Sequence, residues 1–324
     1  MVNNVTETKP QPELSVIIVN WNTLRITADC IQSLIDIKEV SPIEIIVIDN
    51  ASTDGSAEHF KEKFSSIKLI ENKSNVGFAE GCNQGLEIAQ GKYLLLLNPD
   101  TIANEPALKG MIEFLKTHPI VGAVGCRLLY TDGTFQRAYG KFITPFNFLI
   151  SQSLVAVLLR RFISRIRNFL PVLKKRKPFS VDWLMGACIM MPQSIYRKIG
   201  GFDPEYFMYC EDADWCFRVK KEGYWIYHVP QFSIYHYHQQ SSRLRKKFTF
   251  VRIFLSFRKF VLKHYGAAMY NRFRLVVLLE MLIRLPVYAF FWLITPKARS
   301  WQAERLASTF EVIKIYLKGD KDRD

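Results

Sequence analysis

Acidic residues are missing from a long stretch of this 324-residue sequence: none lies between Gly133 and Val181, where Lys141 to Lys177 carries nine Lys or Arg. From Arg243 to the end the balance is 18 basic to six acidic residues, and the rest of the chain is acidic, 17 basic to 24 acidic. The net charge of +14 is thus confined to two segments, both rich in Phe, Leu and Ile. Surfaces that read nucleic acid interleave Arg and Lys with polar and stacking groups on a recognisable motif. None is present, so nucleic acid is not expected as a partner. Basic residues set between aliphatic and aromatic runs are the pattern of interfacial helices, and an anionic membrane surface is expected instead. For Lys174-Lys175-Arg176-Lys177 a solvated basic face remains an alternative.

Low-complexity sequence and internal repeats are also lacking, which together with 49% apolar residues implies a packed globular protein. The six cysteines form no C-x-x-C pair and no metal-finger spacing, so buried, reduced thiols are expected. Met1 to Glu13 is polar and has no apolar core of a secretory signal. Residues 1–13 are expected to be a flexible N-terminus and the chain to be cytoplasmic.

What is present begins with Leu14 to Asn20, a continuous apolar run of the kind that forms a strand buried on both faces. Helical spacing follows over Thr23 to Ile37. Glu44 to Asp49, Ile67 to Glu71 and Tyr93 to Leu97 read as further strands, with helices at Ser56 to Phe64 and from Asn75-Val76-Gly77-Phe78 through Ala89. The alternation implies a Rossmann-like, mostly parallel α/β sheet flanked by helices. Beyond it, Leu108 to Lys116 predicts a helix, Val121 to Leu129 a strand and Thr131 to Thr134 a hairpin turn. Val181 to Met191 predicts a strand, Pro192 to Ile199 and Glu211 to Glu222 helices, and Ser233 to His238 a late strand. Leu275 to Ile294 is the most membrane-like stretch, but Glu280, Arg284 and Pro286 interrupt it. Each charge at a bilayer centre costs about 2.5–3.5 kcal/mol, so an in-plane or re-entrant amphipathic element is expected. Glu280 and Arg284 are spaced to pair at i, i+4.

Ligands of such sheets bind beyond the carboxyl ends of the strands. Asn20, Asp49, Asn75 and Asp100 all sit at or just after strand ends. A strand-terminal Asp49 can accept bonds from a ribose hydroxyl or a base N–H, or it can cap the next helix. Gly77 and Gly81 near a helix start suit a diphosphate. In Asn98-Pro99-Asp100 a carboxylate held by a stiff proline suits a divalent cation that shares its charge with a diphosphate, or else a turn that caps the following helix. Glu211-Asp212-Ala213-Asp214 places three carboxylates in four positions. Neighbours on a helix diverge by about 100°, so one acid would face a substrate while the others position it. Like charge and an aromatic frame of Tyr209 and Trp215 would raise the inward acid's pKa and fit it to act as a general base. The other reading is an ordinary N-terminal helix cluster. His236 and His238 alternate on one side of a strand, as metal ligands or as core residues.

Leu14-Ser-Val-Ile-Ile-Val-Asn-Trp-Asn22, Val47-Ile-Asp-Asn-Ala-Ser-Thr-Asp-Gly55, Asn75-Val-Gly-Phe78 and Leu97-Asn-Pro-Asp100 resemble the inverting family 2 glycosyltransferases. So do Gly186-Ala187, Gly200-Gly-Phe-Asp203 and Glu211-Asp-Ala-Asp-Trp215, in order, from about Leu14 to Ser242. Within that family the pattern is similar to bacterial rhamnosyltransferases of cell-envelope polysaccharide assembly. The resemblance implies a GT-A domain over 14–242, with a nucleotide-sugar-binding half at 14–101 and an acceptor half at 102–242. A basic amphipathic helical region that associates with membranes would follow at 243–324. It implies a nucleoside-diphosphate sugar, dTDP- or UDP-linked, contacted by Val19, Asn20, Asn22, Asp49, Asn50, Ser52, Asn75, Gly77, Phe78, Asn83, Asn98, Pro99 and Asp100. Trp183, Gly186 and Ala187 would lie on the acceptor side. Asp100 would hold Mg²⁺ or Mn²⁺, with His236 or His238 as a further ligand, and Asp212 would be the base, assisted by Glu211 and Asp214. The family's D-x-D is here Asn98-Pro99-Asp100, with one carboxylate in place of two.

The expected reaction is an inverting transfer of a sugar, rhamnose favoured, to a glycan hydroxyl carried on a polyprenyl lipid at the cytoplasmic face of the plasma membrane. Two other classes are weighed against it. A sugar nucleotidyltransferase needs a basic, Gly-rich N-terminal loop, which Val19-Asn20-Trp21-Asn22 does not supply. A non-catalytic scaffold that binds nucleotide sugars would have no use for Asp100 and Asp212. Oligomeric state is left open by the sequence.

Overall fold

The apolar run at the start of the chain becomes the centre of a sheet. In the computed structural model, which describes residues 11–40, 42–156, 177–237, 246–296 and 299–318, β1 (Leu14–Asn20) is buried along its whole length. It lies in parallel between β2 (Ile43–Asp49) and β4 (Tyr93–Leu97). β3 (Lys68–Glu71) extends the parallel set beyond β2. Alternation then sorts the side chains of β1. Val16 and Ile18 join a core with Cys30, Ile31 and Leu34 of α1 (Leu24–Ile35) and Leu108, Met111 and Ile112 of α4 (Glu105–Thr117). Ile17 and Val19 face α3 (Phe78–Ile88), whose Gly85 sits so close that a Cβ there would lie 2.5 Å from Ile17. Burying each such aliphatic side chain contributes about 1.5–3 kcal/mol. α2 (Ser56–Lys63) completes the crossover between β2 and β3.

Past β4 the sheet order is β3-β2-β1-β4-β11-β6-β12-β5. β5 (Thr101–Ile102) pairs antiparallel with β12 (Trp225–His236), and β12 runs parallel to β6 (Val121–Leu129). β6 turns back through a hairpin into β7 (Phe135–Gln136), and β8 (Tyr139–Gly140) follows. β9 (Phe179–Ser180) pairs with β12. Two expectations need correction here. The single strand expected over Val181 to Met191 is two: β10 (Trp183–Leu184) pairs with β8, whereas β11 (Cys188–Pro192) pairs antiparallel with β4. Met185 to Ala187 leaves both ladders to make the changeover. The late strand begins at Trp225 rather than Ser233, because Trp225 to Val229 already runs beside β6 ahead of an irregularity between Val229 and Ser233. α6 (Gln193–Ile199) and α7 (Glu211–Lys221) complete this unit, which takes in 11–140, 177–207 and 211–237 of the described residues. All six cysteines are buried and free, as the sequence implies.

The second unit comprises described residues 141–156, 208–210 and the chain from 246 onward. It holds α5 (Pro145–Gln152), α8 (Lys246–Ile294), which breaks at Gly266 (φ 76°), and α9 (Arg299–Lys318). Phe148 packs edge-on against Phe254 and Phe273, and the Tyr316 hydroxyl donates to the Phe254 carbonyl at 2.9 Å. Along 267–294 the polarity is inverted relative to a soluble helix. Leu275, Leu279, Leu282, Ile283 and Phe290 are exposed, while Glu280 and Arg284 are buried. Those two form the expected i, i+4 pair at 2.8 Å. Their remaining hydrogen-bonding capacity meets α5, since Glu280 accepts from the Leu154 amide and Arg284 donates to the Gln152 carbonyl. The segment is long and apolar enough to cross a bilayer. His238 and residues 157–176 of the acid-free stretch, with Lys174 to Arg176, lie outside the described residues.

Candidate active site

The loops that leave β1 and β2 are tied into one frame. Asn20 Nδ2 donates to Asp49 Oδ1 at 2.6 Å and to Ser52 Oγ at 3.0 Å. Asp49 Oδ2 accepts from the Ser52 amide at 2.9 Å, and Asn22 Oδ1 accepts from the Thr53 amide at 2.7 Å. The frame holds Asn22 (φ 52°) and Ala51 (φ 58°) in the left-handed region that costs a side-chain-bearing residue energy, strain of the kind that collects at functional sites. Asp49 is 3% exposed and both its oxygens serve this frame, so only its second lone pairs are left for a nucleoside.

Asn50 carries the frame onward. Its Nδ2 donates to the Gly77 carbonyl at 3.0 Å, and Asn75 Oδ1 accepts from the Gly77 amide at 2.9 Å. Gly77 has φ 90°, and a Cβ there would lie 2.7 Å from the Phe207 carbonyl oxygen, so the turn into α3 is closed to any other residue. Val19 packs beside Gly81 on the same helix. Asn83, expected among the donor contacts, is committed elsewhere. Its Oδ1 accepts from the Phe202 amide at 2.7 Å and its Nδ2 donates to the Phe202 carbonyl at 2.8 Å. It therefore secures the Gly200–Phe202 turn.

Asp100 follows β4 and is brought to His236, 136 positions later, by strand register. The pairing of β5 with β12 sets His236 opposite Thr101, which leaves His236 Nε2 3.0 Å from Asp100 Oδ1. Asn98 Nδ2 lies 3.4 Å from the same nitrogen. His236 Nδ1 is 2.8 Å from Gln136 Oε1, a residue the sequence reading missed. A two-residue strand after a hairpin carries too little pattern to single it out. The donor set fits a divalent cation of the Mg²⁺ or Mn²⁺ kind: one carboxylate and one imidazole, with the remaining positions open to diphosphate oxygens and water. Among the described residues no group of three or more His, Cys, Asp or Glu forms a closed cage.

The three carboxylates of α7 have three environments. Asp214 is fully buried and pairs with Arg218 at 2.9 Å. Arg218 in turn donates to the Ile199 and Gly201 carbonyls, so Asp214 anchors the same turn that Asn83 grips. Glu211 is 5% exposed and its Oε2 has no partner among the described residues. Burial, then the charge of Asp212, pushes its pKa well above the carboxylate range. Asp212 keeps a partly exposed edge. Its Oδ2 accepts from the Gly186 amide at 3.0 Å and its Oδ1 from the Ala213 amide at 2.7 Å. Loss of solvation raises it to about 6 against those two bonds, which pull it down. The helix is entered through Tyr209 (φ 72°) and Cys210 (φ 69°), a second strained turn.

These groups are joined by a short chain of contacts. Asp212 binds the Gly186 amide, the Ala187 carbonyl accepts from the Asn98 amide at 3.1 Å, and Asn98 reaches His236 and so Asp100. On the other side, a Cβ at Gly186 would lie 3.2 Å from Phe78, next to Gly77. The break between β10 and β11 therefore presents the amide that holds Asp212. Trp183 stacks over Gly140, where a Cβ would lie 2.5 Å from its ring. Pro99 is half-buried between Asn98 and Asp100. One neighbourhood thus combines the Asn20–Asp49–Ser52 frame, the Asp100–His236 pair and a carboxylate whose pKa is raised to about 6.

The model of Glycosyl transferase family 2 matches residues 15–218. The chain is similar to an N-acetylglucosaminyl-diphospho-decaprenol L-rhamnosyltransferase of Mycobacterium tuberculosis, 26% identical over 215 residues that cover 62% of this chain and 68% of that one. It is also similar to rhamnosyltransferase WbbL of Escherichia coli, 29% identical over 161 residues, 48% of this chain and 56% of that one. Among solved structures, the mannosyltransferase PcManGT of Pyrobaculum calidifontis, in complex with GDP-Man and Mn²⁺, superposes with a TM-score of 0.53 at 17% identity, covering 96% of this chain and 88% of that one. GalNAc-T7 with UDP, GalNAc and Mn²⁺ gives 0.56 at 16% identity, over 78% of this chain and 48% of that one. At such identities the structural likeness speaks to the fold, which is GT-A, while the family model covers more than half of the sequence. The chain belongs to glycosyl transferase family 2.

Proposed function

We propose that this glycosyltransferase is an inverting, metal-dependent hexosyltransferase. It moves a sugar, rhamnose favoured, from a dTDP- or UDP-linked donor to a hydroxyl of a polyprenyl-lipid-linked glycan in cell-envelope polysaccharide synthesis. The observation that carries the reading is Asp212, a single carboxylate with a raised pKa held by the Gly186 amide, linked through Ala187 and Asn98 to the Asp100–His236 pair. One base and, among the described residues, no second carboxylate placed as a nucleophile favour a single displacement, hence inversion. Asp212 accepts the acceptor hydroxyl proton as its oxygen attacks the anomeric carbon, and the bond to the nucleoside diphosphate breaks on the opposite face. Glu211, protonated, keeps a second negative charge away from the base, and Asp214 fixes the helix start through Arg218. The Asn20–Asp49–Ser52 frame and the Gly77 turn shape the nucleotide side. Asp100 and His236 would hold Mg²⁺ or Mn²⁺, which as a Lewis acid offsets charge on the departing diphosphate.

The lipid-linked acceptor is supported by the printed activity of the mycobacterial relative and by the inverted polarity of 267–294, which presents Leu and Ile outward and keeps its ion pair inside. We place the chain at the cytoplasmic face of the plasma membrane, with residues 243–324 as its membrane-associating region. The test is turnover with a panel of dTDP-, UDP- and GDP-sugars on a polyprenyl-diphosphate glycan, with and without EDTA, followed by NMR of the product anomer. Retention of donor configuration, or equal rates in EDTA and Mn²⁺, would overturn the corresponding part of the reading.

A further inference from the structure

Gln136 lies on β7, 3% exposed, and one end of its amide is spent on the histidine of the cation pair while the other end has no partner among the described residues. Burying an amide end without a hydrogen bond is destabilising, which singles this side chain out. A neutral imidazole has one N–H and one lone pair. With Gln136 Oε1 2.8 Å from Nδ1, the proton sits on Nδ1 and donates to that oxygen. Nε2 is then the lone-pair nitrogen, and it faces Asp100 Oδ1 across 3.0 Å. Two acceptors converging at that distance repel unless a metal cation, or a second imidazole proton, lies between them. Were the amide turned end for end, its NH₂ would donate to Nδ1, the imidazole proton would move to Nε2, and an N–H directed at Asp100 would close the pair to a cation. The orientation of one amide therefore decides whether Asp100 and His236 can share an ion.

We propose that Gln136 is a positioning residue that sets the tautomer of His236 and thereby opens the Asp100–His236 pair to a divalent cation. The proposal rests on the reading of that pair as the cation site. Groups that accept from the second nitrogen of a ligating histidine fix its tautomer and its orientation, and losing one typically costs about 10–100-fold in metal affinity. A glutamine does this without adding charge, whereas a glutamate accepts from Nδ1 and cannot be turned into a donor. The ladder supports the placement: Gln136 is registered opposite Leu128 on β6, and β6 is also the partner of β12, which carries His236. One strand thus holds both ends of the hydrogen bond.

The experiment is Mn²⁺ binding by the full chain, read by electron paramagnetic resonance of the free ion in the absence of sugar donor. His236 is followed in parallel by ¹⁵N imidazole NMR with Mg²⁺. Q136M is expected to bind Mn²⁺ about 10–100-fold more weakly, Q136E to stay within about threefold of wild type, and the Mg²⁺-loaded wild type to carry its proton on Nδ1. Q136M binding Mn²⁺ like wild type, while H236A loses at least tenfold, would overturn the role of Gln136 and leave the cation site standing. If D100N and H236A also bind like wild type, the cation-site reading fails with it. Should Q136M not fold, Q136E decides: a proton on Nε2 of His236 in the Mg²⁺-loaded Q136E protein refutes the proposal.

Discussion

Replacing Asp212 by Asn removes a carboxylate whose charge burial disfavours. The carboxyl moves from an ordinary 3.8 to about 6, and loss of solvation outweighs the Gly186 and Ala213 amides. That displacement corresponds to roughly 3 kcal/mol against the ionised form, less whatever the solvent-facing edge screens. For catalysis the sign is simple. Below pH 6 the base is mostly protonated, so kcat/KM should fall about tenfold per pH unit on the acid side of a midpoint near 6, and about nine-tenths of the enzyme should be active at pH 7. D212N should lose about 10²–10⁴-fold in transfer at pH 7 and show no acid limb. For stability the sign is opposite to that of a salt-bridged carboxylate. The folded state holds its proton to a higher pH than the unfolded chain does. The neutral form therefore supports the fold below pH 4, and that support is lost as pH rises from about 4 to 6. D212N should gain on wild type over that window by about 1–3 kcal/mol, diminished by the one amide bond that Asn cannot accept. Urea unfolding at pH 4, 5, 6 and 7 reads the trend directly. A wild-type acid limb centred near 4, or a D212N protein whose relative stability does not change with pH, would refute this account of the base.

Glu211, protonated beside an ionised Asp212, should tolerate E211Q at pH 7 with stability within about 1 kcal/mol and the acid limb in place. A midpoint more than one pH unit lower in E211Q would mean that Glu211 had been charged. L279E/I283E adds charge to the outward stripe at two positions that are each 52% exposed, and should lower flotation with anionic vesicles at least tenfold with no loss of helix by circular dichroism. Unfolding in place of release would place the stripe in a protein interface. Either E280A or R284A should cost about 3–5 kcal/mol by stranding the other charge, whereas E280M/R284M should recover most of it. Equal destabilisation by the single and double variants in detergent-solubilised unfolding would rule out the pair as the cause.

The parallel half of the sheet was legible because its signals are local. Leu14 to Asn20 and Tyr93 to Leu97 read as strands to the residue, since an apolar run closed by Asn or Asn-Pro needs no tertiary information. The remainder of the sheet was not, because its strands are defined by partners. Val181 to Met191 has one continuous β-like pattern, yet Trp183 and Cys188 belong to different ladders. Between the two ladders the Gly186 amide donates to Asp212 instead of to a strand partner. Trp225 to Val229 gains its strand from β6 on one side and β9 on the other.

The same division runs through the acids, and it limits what spacing can say about chemistry. Glu211, Asp212 and Asp214 share one helix turn, and their separation in sequence does not distinguish them. What differs is the hydrogen-bonding partner each one meets. Arg218 neutralises Asp214, with two backbone carbonyls holding the guanidinium. Glu211 meets no donor at Oε2 among the described residues, and burial and the charge of Asp212 push its pKa well above the carboxylate range. Asp212 meets two amides, enough to let it ionise near 6 and too few to make it a permanent anion. A carboxylate tied to a guanidinium would be too weak a base for a hydroxyl proton, and one without donors would remain protonated. Only the middle acid is balanced between the two, and that balance comes from Gly186, 26 positions upstream.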